Sequence, residues 1–346
     1  MLGGIHTFER LPQVGEEAGV RRRPANERAS SPVRARPLVG LIRNARSHRN
    51  ESADAPTTER DDVIVARPDR RSELIDILAD FAARQVDGIA IDGGDGTIRD
   101  VLTCGAGIFG EDWPPLIVLP AGKTNALAID LAIPTDWTLD AALAAMADGR
   151  MTERRPLVIA QRDDARAQVR GFIFGAGLFN RCIALGQKSH DLGAFNAAVV
   201  GFTAAWSVLQ AFFGSSDNGW RSGTAMRVSE ADGREVPHFG GLPEGERFLL
   251  FASSLEHLPA GLDPMRGLAG KVRMIVLDNP RRSLLLRIGA VMRGRASEAT
   301  LRRGVHRLGG DSFDIDLGDT FVLDGEAFPP GTYRLSAGAP LRFVTP

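Results

Sequence analysis

Four loops in this sequence carry side chains suited to handling a phosphoryl group. The first is Gly93–Gly94–Asp95–Gly96–Thr97, which follows the apolar run Ile89–Ala90–Ile91. Its glycines free the backbone to approach a ligand closely. Thr97 suits a helix N-cap, and a helix started there would aim unsatisfied N–H groups and a positive dipole end at the turn. A phosphate fits such a site. The second loop, Pro120–Ala121–Gly122–Lys123–Thr124–Asn125, adds a cation, and the third, Arg43–Asn44–Ala45–Arg46–Ser47–His48, adds amide and hydroxyl groups. The fourth, Val322–Leu323–Asp324–Gly325–Glu326, places two carboxylates on a tight turn. An Asp-Gly turn is common by itself. With Asp95, however, these acids form a candidate set for binding Mg2+ and accepting a proton, and phosphoryl transfer asks little else of a protein beyond positioning and charge neutralisation.

Other chemistries find less support. No Ser/His/Asp nucleophile arrangement stands out, and His48, His190, His257 and His306 lack ligand spacing, so surface or core roles are expected of them. Gly171–Phe172–Ile173–Phe174–Gly175–Ala176–Gly177 has the glycines of a dinucleotide loop without its acidic partner or its βαβ unit, so close backbone packing is the better account of them.

The elements that must position these loops change character along the chain. Residues 1–36 show no sustained apolar period, and a disordered tail is expected there. From 37 to 150, short apolar runs at Pro37–Ile42, Val63–Val65, Gly88–Asp92 and Leu116–Leu119 alternate with helical patterns over 71–85, from Thr97, 125–131 and 138–148. This predicts a doubly wound, mostly parallel α/β sheet, in which ligands sit at the carboxyl ends of strands. The loops at Asn44, Asp95 and Lys123 would then be neighbours.

From 151 to 346 the grammar is that of an antiparallel β-rich domain with helical insertions. Strands are expected at Leu157–Ala160, Arg170–Phe174, Met226–Val228, Phe248–Ala252, Val272–Leu277, Phe313–Leu317, Phe321–Leu323, Tyr333–Leu335 and Leu341–Val344, and a hairpin turn at Asp232–Gly233. Two stretches interrupt them. Leu192–Ser216 carries no charged side chain and reads as a buried or membrane-facing helix. Arg281–Arg307 combines eight arginines with one acid, Glu298, and an apolar set at Leu284, Leu285, Ile288 and Val291. It reads either as a basic amphipathic helix lying on an anionic membrane or as an ordinary surface helix.

Composition narrows the classes. The net charge of −1 gives no global attraction to nucleic acid, and 43% hydrophobic residues supply ample core for two domains. Cys104 and Cys182 are isolated, which fits a reducing compartment.

Taken in order and spacing, Gly93–Thr97, the Pro120–Asn125 loop and Leu323–Glu326 resemble the diacylglycerol kinase catalytic family, the soluble lipid kinases that include sphingosine and ceramide kinases. The resemblance spans about residues 37–346. It implies a nucleotide-binding domain followed by a β-rich lipid-acceptor domain, with ATP as co-substrate, Mg2+, and transfer to a membrane lipid hydroxyl, most simply that of diacylglycerol. By the same resemblance Gly93, Gly94, Asp95, Gly96 and Thr97 hold the ATP phosphates, joined by Asn44, Ser47, Asp100, Lys123, Thr124 and Asn125. Asp95 and Glu326 serve the metal, and Asp324 is the general base, with Asp324 and Glu326 exchangeable in those roles. A cytoplasmic protein, peripheral at the inner face of the membrane, is implied, with self-association left open.

The chain departs from the family pattern at several positions. Ala45 and His48 replace a proline and a glycine, Ala66–Arg67 stand where a threonine is usual, Asp100 replaces glutamate, Lys123 replaces threonine and Ala126 replaces aspartate. Lys123 either supplies a cation to the phosphates or marks an altered or weakened site. A ceramide or sphingoid-base kinase, an NAD-kinase-like enzyme and a non-catalytic nucleotide or lipid sensor remain alternatives. Against the NAD kinase, the Asn-Glu pair occurs only at Asn26–Glu27 and Asn50–Glu51, outside the expected region.

Overall fold

The computed structural model describes residues 8–14, 36–47, 50, 60–181, 222–239, 243, 245–278 and 282–346. The uncharged stretch Leu192–Ser216, most of the expected tail, His48, His190 and Cys182 lie outside them. The chain divides into two units, one of residues 12–156, 168–171 and 338–346, the other of residues 1–11, 157–167 and 172–337.

In the first unit, strands β1 (Val39–Arg43), β2 (Val63–Ala66), β3 (Gly88–Gly93), β4 (Leu116–Pro120), β5 (Met151–Arg154) and β18 (Leu341–Val344) form one sheet in the order β2-β1-β3-β4-β18-β5. All neighbours are parallel except β5 against β18. The parallel strands read as continuous apolar runs because helices cover both faces. Helix α1 (Glu73–Ala83) presses Phe81 so closely on β1 that a Cβ at Gly40 would lie 2.4 Å from its ring. On the other face, Ala142, Leu143 and Ala145 of α4 (Leu139–Ala147) pack with Val39, Leu41, Ala90, Ile117 and Val344. Helix α2 (Asp95–Phe109) and the short α3 (Ala126–Asp130) complete the unit, together with β7 (Gln168–Gly171), whose Arg170 N–H donates to Thr103 Oγ1 on α2 at 3.0 Å.

The second unit is antiparallel. One sheet runs β10 (Glu246–Arg247), β9 (Thr224–Glu230), β14 (Ser312–Leu317), β17 (Gly331–Ala337), β6 (Leu157–Gln161); another runs β13 (Val305–Gly310), β12 (Val272–Leu277), β11 (Leu249–Ser253), β8 (Ile173–Gly177), β15 (Phe321–Leu323), β16 (Glu326–Phe328). The α/β plus antiparallel β-rich architecture is the one expected.

Several local expectations change. The C-terminal strand Leu341–Val344 forms as expected but completes the first unit's sheet, because Phe343 and Val344 find full burial there. Residues 8–14 of the expected tail are packed. Phe8 stacks on Phe328 at 4.9 Å, and Pro12 O accepts from Gln168 N–H at 3.0 Å. The basic stretch is not one helix. It breaks into α5 (Arg282–Leu285), α6 (Ile288–Val291) and α7 (Glu298–Leu301), and Arg307 lies on β13. Gly294 and Gly304 adopt positive φ (67° and 93°), which ends helical continuity, and Ser297 caps α7 by accepting from Thr300 N–H. At Asp232–Gly233 the hairpin turn forms, with Gly233 at φ 85°.

Candidate active site

The order β2-β1-β3-β4 places the topological switch between β1 and β3, where open α/β sheets bind ligands. The register sets Arg43 beside Asp92 and Gly93 beside Pro120, so the loops that follow β1, β3 and β4 emerge level with one another. They are also bonded together. Asn44 Nδ2 donates to Thr97 Oγ1 at 2.8 Å, and Ala121 N–H donates to Gly93 O at 3.1 Å. Asn44, Thr97, Gly94 and Gly122 thus form one cluster.

The glycines have distinct reasons to be there. Gly94 and Gly122 lie backbone against backbone, and a Cβ at Gly122 would stand 2.5 Å from Gly94 Cα. At Gly93 a Cβ would strike Thr97 at 2.6 Å. Gly96 is different, since its added Cβ would touch nothing closer than Arg99 Nη2 at 3.7 Å. Sequence reading assigned Gly93, Gly94 and Gly96 to ligand approach. Gly93, Gly94 and Gly122 are required by the packing of the loops themselves, whereas at Gly96 a Cβ would make only ordinary contact with the Arg99 guanidinium. Gly94, not Thr97, is the N-cap of α2, and Thr97 falls in the first turn with its hydroxyl given to Asn44.

Asp95 opens α2 and spans to the next helix. Its Oδ2 accepts from Ala126 N–H at 3.0 Å and its Oδ1 from Leu127 N–H at 3.2 Å, capping α3. Burial pushes its carboxyl above the usual range, and the two backbone donors and Arg99 oppose that rise. Asn125 closes the Lys123 loop on itself. Its Oδ1 accepts from Gly122 N–H and its Nδ2 donates to Gly122 O, both at 2.9 Å, with φ of 50°, a conformation asparagine tolerates. This leaves Lys123 and Thr124 exposed at the tip.

Two other expected residues serve the scaffold. Ser47 is buried, with its N–H donated to Asn44 O. Asp100 pairs with the fully buried Arg99 at 2.9 Å and with Arg71 at 3.4 Å. Sequence reading missed three participants. Asn50 donates to Asp92 Oδ1 at 3.1 Å and to Asn44 O at 3.0 Å, and Arg43 pairs with Asp92 at 3.5 Å. Arg99 lies under the first turn of α2. A polar side chain at the carboxyl end of β1 was the only signal for Arg43, Asn50 lies in a turn beyond the strand, and nothing in the sequence marked Arg99 as buried.

In the second unit, Asp324 and Gly325 form the two-residue turn of the β15–β16 hairpin. Both have positive φ (46° and 83°), the signature of a type I′ turn. The Asp324 carboxylate reaches across to β8, where Oδ1 accepts from Ile173 N–H at 2.9 Å and Oδ2 from Phe172 N–H at 3.0 Å. Its orientation is therefore set by backbone. Glu326, on β16, is cross-strand to Leu323 and part-exposed. The glycines of 171–177 pack closely, as expected: a Cβ at Gly175 would enter the Phe179 ring at 2.1 Å, and one at Gly177 would meet Phe248 O at 2.6 Å.

Mg2+ held beside a nucleotide needs only one or two carboxylates with phosphates and water. Each Asp95 oxygen keeps a lone pair after accepting one backbone N–H, so Asp95 fits as one such ligand. Among the described residues no group of three or more His, Cys, Asp or Glu side chains gathers as a metal site of its own.

Comparison with known proteins agrees with this geometry. No curated protein matches the chain closely enough to count as a relative. Among solved structures, one described as a "putative diacylglycerol kinase" from Bacillus anthracis str. Sterne superposes with a TM-score of 0.61 at 14% identity, covering 92% of this chain and 99% of that one. A diacylglycerol kinase structure from the same organism gives 0.60 at 15% identity, covering 90% and 98%. At such identities the shared property is the fold. The model of the diacylglycerol kinase catalytic domain matches residues 43–156, which begin at the end of β1 and stop where the first unit's main stretch stops. Residues 43–156 are therefore similar to the catalytic domain of diacylglycerol kinases.

Proposed function

We propose that the protein transfers the γ-phosphate of ATP to the hydroxyl of a membrane lipid, diacylglycerol first among them, with Mg2+ as the charge-neutralising ion. The observation that carries this reading is the bonded cluster of loops after β1, β3 and β4, at the start of α2, inside the segment that matches the kinase family. N–H groups of the first turn of α2 and the Lys123 ammonium would bind phosphate oxygens. Asp95 and Glu326 are the candidate metal carboxylates. Asp324, oriented by Phe172 and Ile173 N–H, would take the lipid hydroxyl proton.

The test is transfer of labelled γ-phosphate to diacylglycerol, ceramide and sphingosine presented in mixed micelles. Transfer to diacylglycerol is expected, lowered on the order of a hundred-fold or more in Asp324→Asn, the contribution of a general base. No transfer to any lipid, or preferred phosphorylation of NAD, would overturn the proposal. Tight ATP binding with no turnover would favour a sensor.

A further inference from the structure

The segment 282–303 presents an unusual surface. Leu284, Leu285, Val291 and Thr300 anchor it in the core of the second unit, while Arg282, Arg287, Arg293, Arg295, Arg302 and Arg303 are all exposed. Leu286 stands among them at 74% exposure, the highest of the large apolar side chains among the described residues. Among the described residues, few acids pair on or beside this surface. Glu298 pairs with Arg302 at 3.3 Å on the segment's own α7, and Asp263, from the neighbouring loop, lies 4.0 Å from Arg266. That loop also pins the segment, since Asp263 N–H donates to Met292 O at 2.9 Å and Gly294 is packed against Asp263 O. The surface is therefore preformed and carries a marked positive excess.

We propose that this arginine face docks the protein on an anionic bilayer, with Leu286 entering the interface. It rests on the lipid-kinase reading for the choice of a bilayer over other polyanions. The chemistry supports that choice, because phosphate-rich headgroups match the arginines and an acyl layer beneath them matches an outstanding leucine. Nucleic acid offers the charge without the apolar layer. Among the described residues no helix is long and apolar enough to cross a membrane.

The experiment is sedimentation of the full chain with phosphatidylcholine vesicles, with and without phosphatidylglycerol, in the absence of nucleotide. Wild type is expected to partition strongly only onto the phosphatidylglycerol vesicles. With each surface arginine contributing about five-fold, the triple variant Arg282→Ala/Arg287→Ala/Arg293→Ala should bind roughly a hundred-fold more weakly. Leu286→Ser should cost about ten-fold. All four positions are exposed, so unchanged melting temperatures are expected, and phosphorylation of a dispersed short-chain diacylglycerol should be unaltered. Equal binding by wild type and the triple variant would overturn the proposal, as would wild type binding both vesicle types alike. So would a neutral Leu286→Ser together with equally tight binding of single-stranded RNA. Because partition is read without turnover, an inactive protein that still docks overturns the kinase reading alone.

Discussion

Asp95 has a structural role beside the proposed metal-binding one, and the two can be separated. Its carboxylate oxygens accept Ala126 and Leu127 N–H at the start of α3, so any substitution there disturbs the helix as well as the proposed metal site. Asparagine can serve only one of those donors and turns its own N–H2 on the other. Asp95→Asn is therefore expected to lower stability by about 1–2 kcal/mol, the value of a lost helix cap, visible as a reduced denaturant midpoint in nucleotide-free protein. A variant that lost activity with its midpoint unchanged would place the whole effect in the chemistry. Gly122 makes a sharper case. Gly122→Ala must push the β4 loop off Gly94, at roughly 1–3 kcal/mol, and should weaken ATP binding with no polar group removed. Calorimetric titration with ATP checks this, and unaltered affinity would mean that the two loops do not have to touch for nucleotide to bind.

At the level of elements, much of the first unit was legible because its strands are apolar runs that only burial on two faces explains. The strands at Val39, Gly88 and Leu116 and helix α1 appear where periodicity put them. Thr97 was misjudged as a cap because its hydroxyl serves Asn44, a partner in the loop after β1 that local pattern does not reveal. The run from Arg281 misled for a related reason. Its leucine spacing is helical over a few turns, but Gly294 can hold its positive φ against Asp263, and β13 is claimed by six cross-strand pairs to β12. Neither partner is visible in the sequence around Arg281. His306, expected in a surface or core role, is buried on β13 with Nε2 2.7 Å from Asp278 Oδ2, while Arg247 engages the other oxygen. Burial works against the charge on Asp278, but the bonds from His306 and Phe239 N–H and the nearby Arg247 outweigh it and hold its carboxyl below the usual value. A depressed folded-state pKa adds stability that is present above the ordinary value of 3.8 and lost as pH falls through the folded value. Asp278→Asn should then cost about 3–5 kcal/mol at neutral pH, the cost of breaking a buried pair, and that cost should shrink steadily in acid. Urea melts between neutral pH and strong acid measure it, and a pH-independent difference would assign the loss to packing alone.

For the whole molecule, the two units are not consecutive pieces of chain, and this was the feature least accessible to a reading from left to right. Leu341–Val344 was recognised as a strand, yet its placement depends on a vacancy between β4 and β5 that no local signal advertises. Removing residues 338–346 should expose the partners of Leu341, Phe343 and Val344, each worth about 1.5–3 kcal/mol when buried, a sum comparable to the stability of a whole domain. The truncated protein is expected to lose ATP binding and to become protease-sensitive across residues 60–156, measured by limited digestion. The same strand sets an order of events during synthesis. A polypeptide leaves the ribosome from its first residue, so the first unit's sheet, though begun early, stays one strand short until residues 341–344 have emerged. It is completed only after the second unit has been translated, and a chain that stops before Leu341 has no means of finishing it.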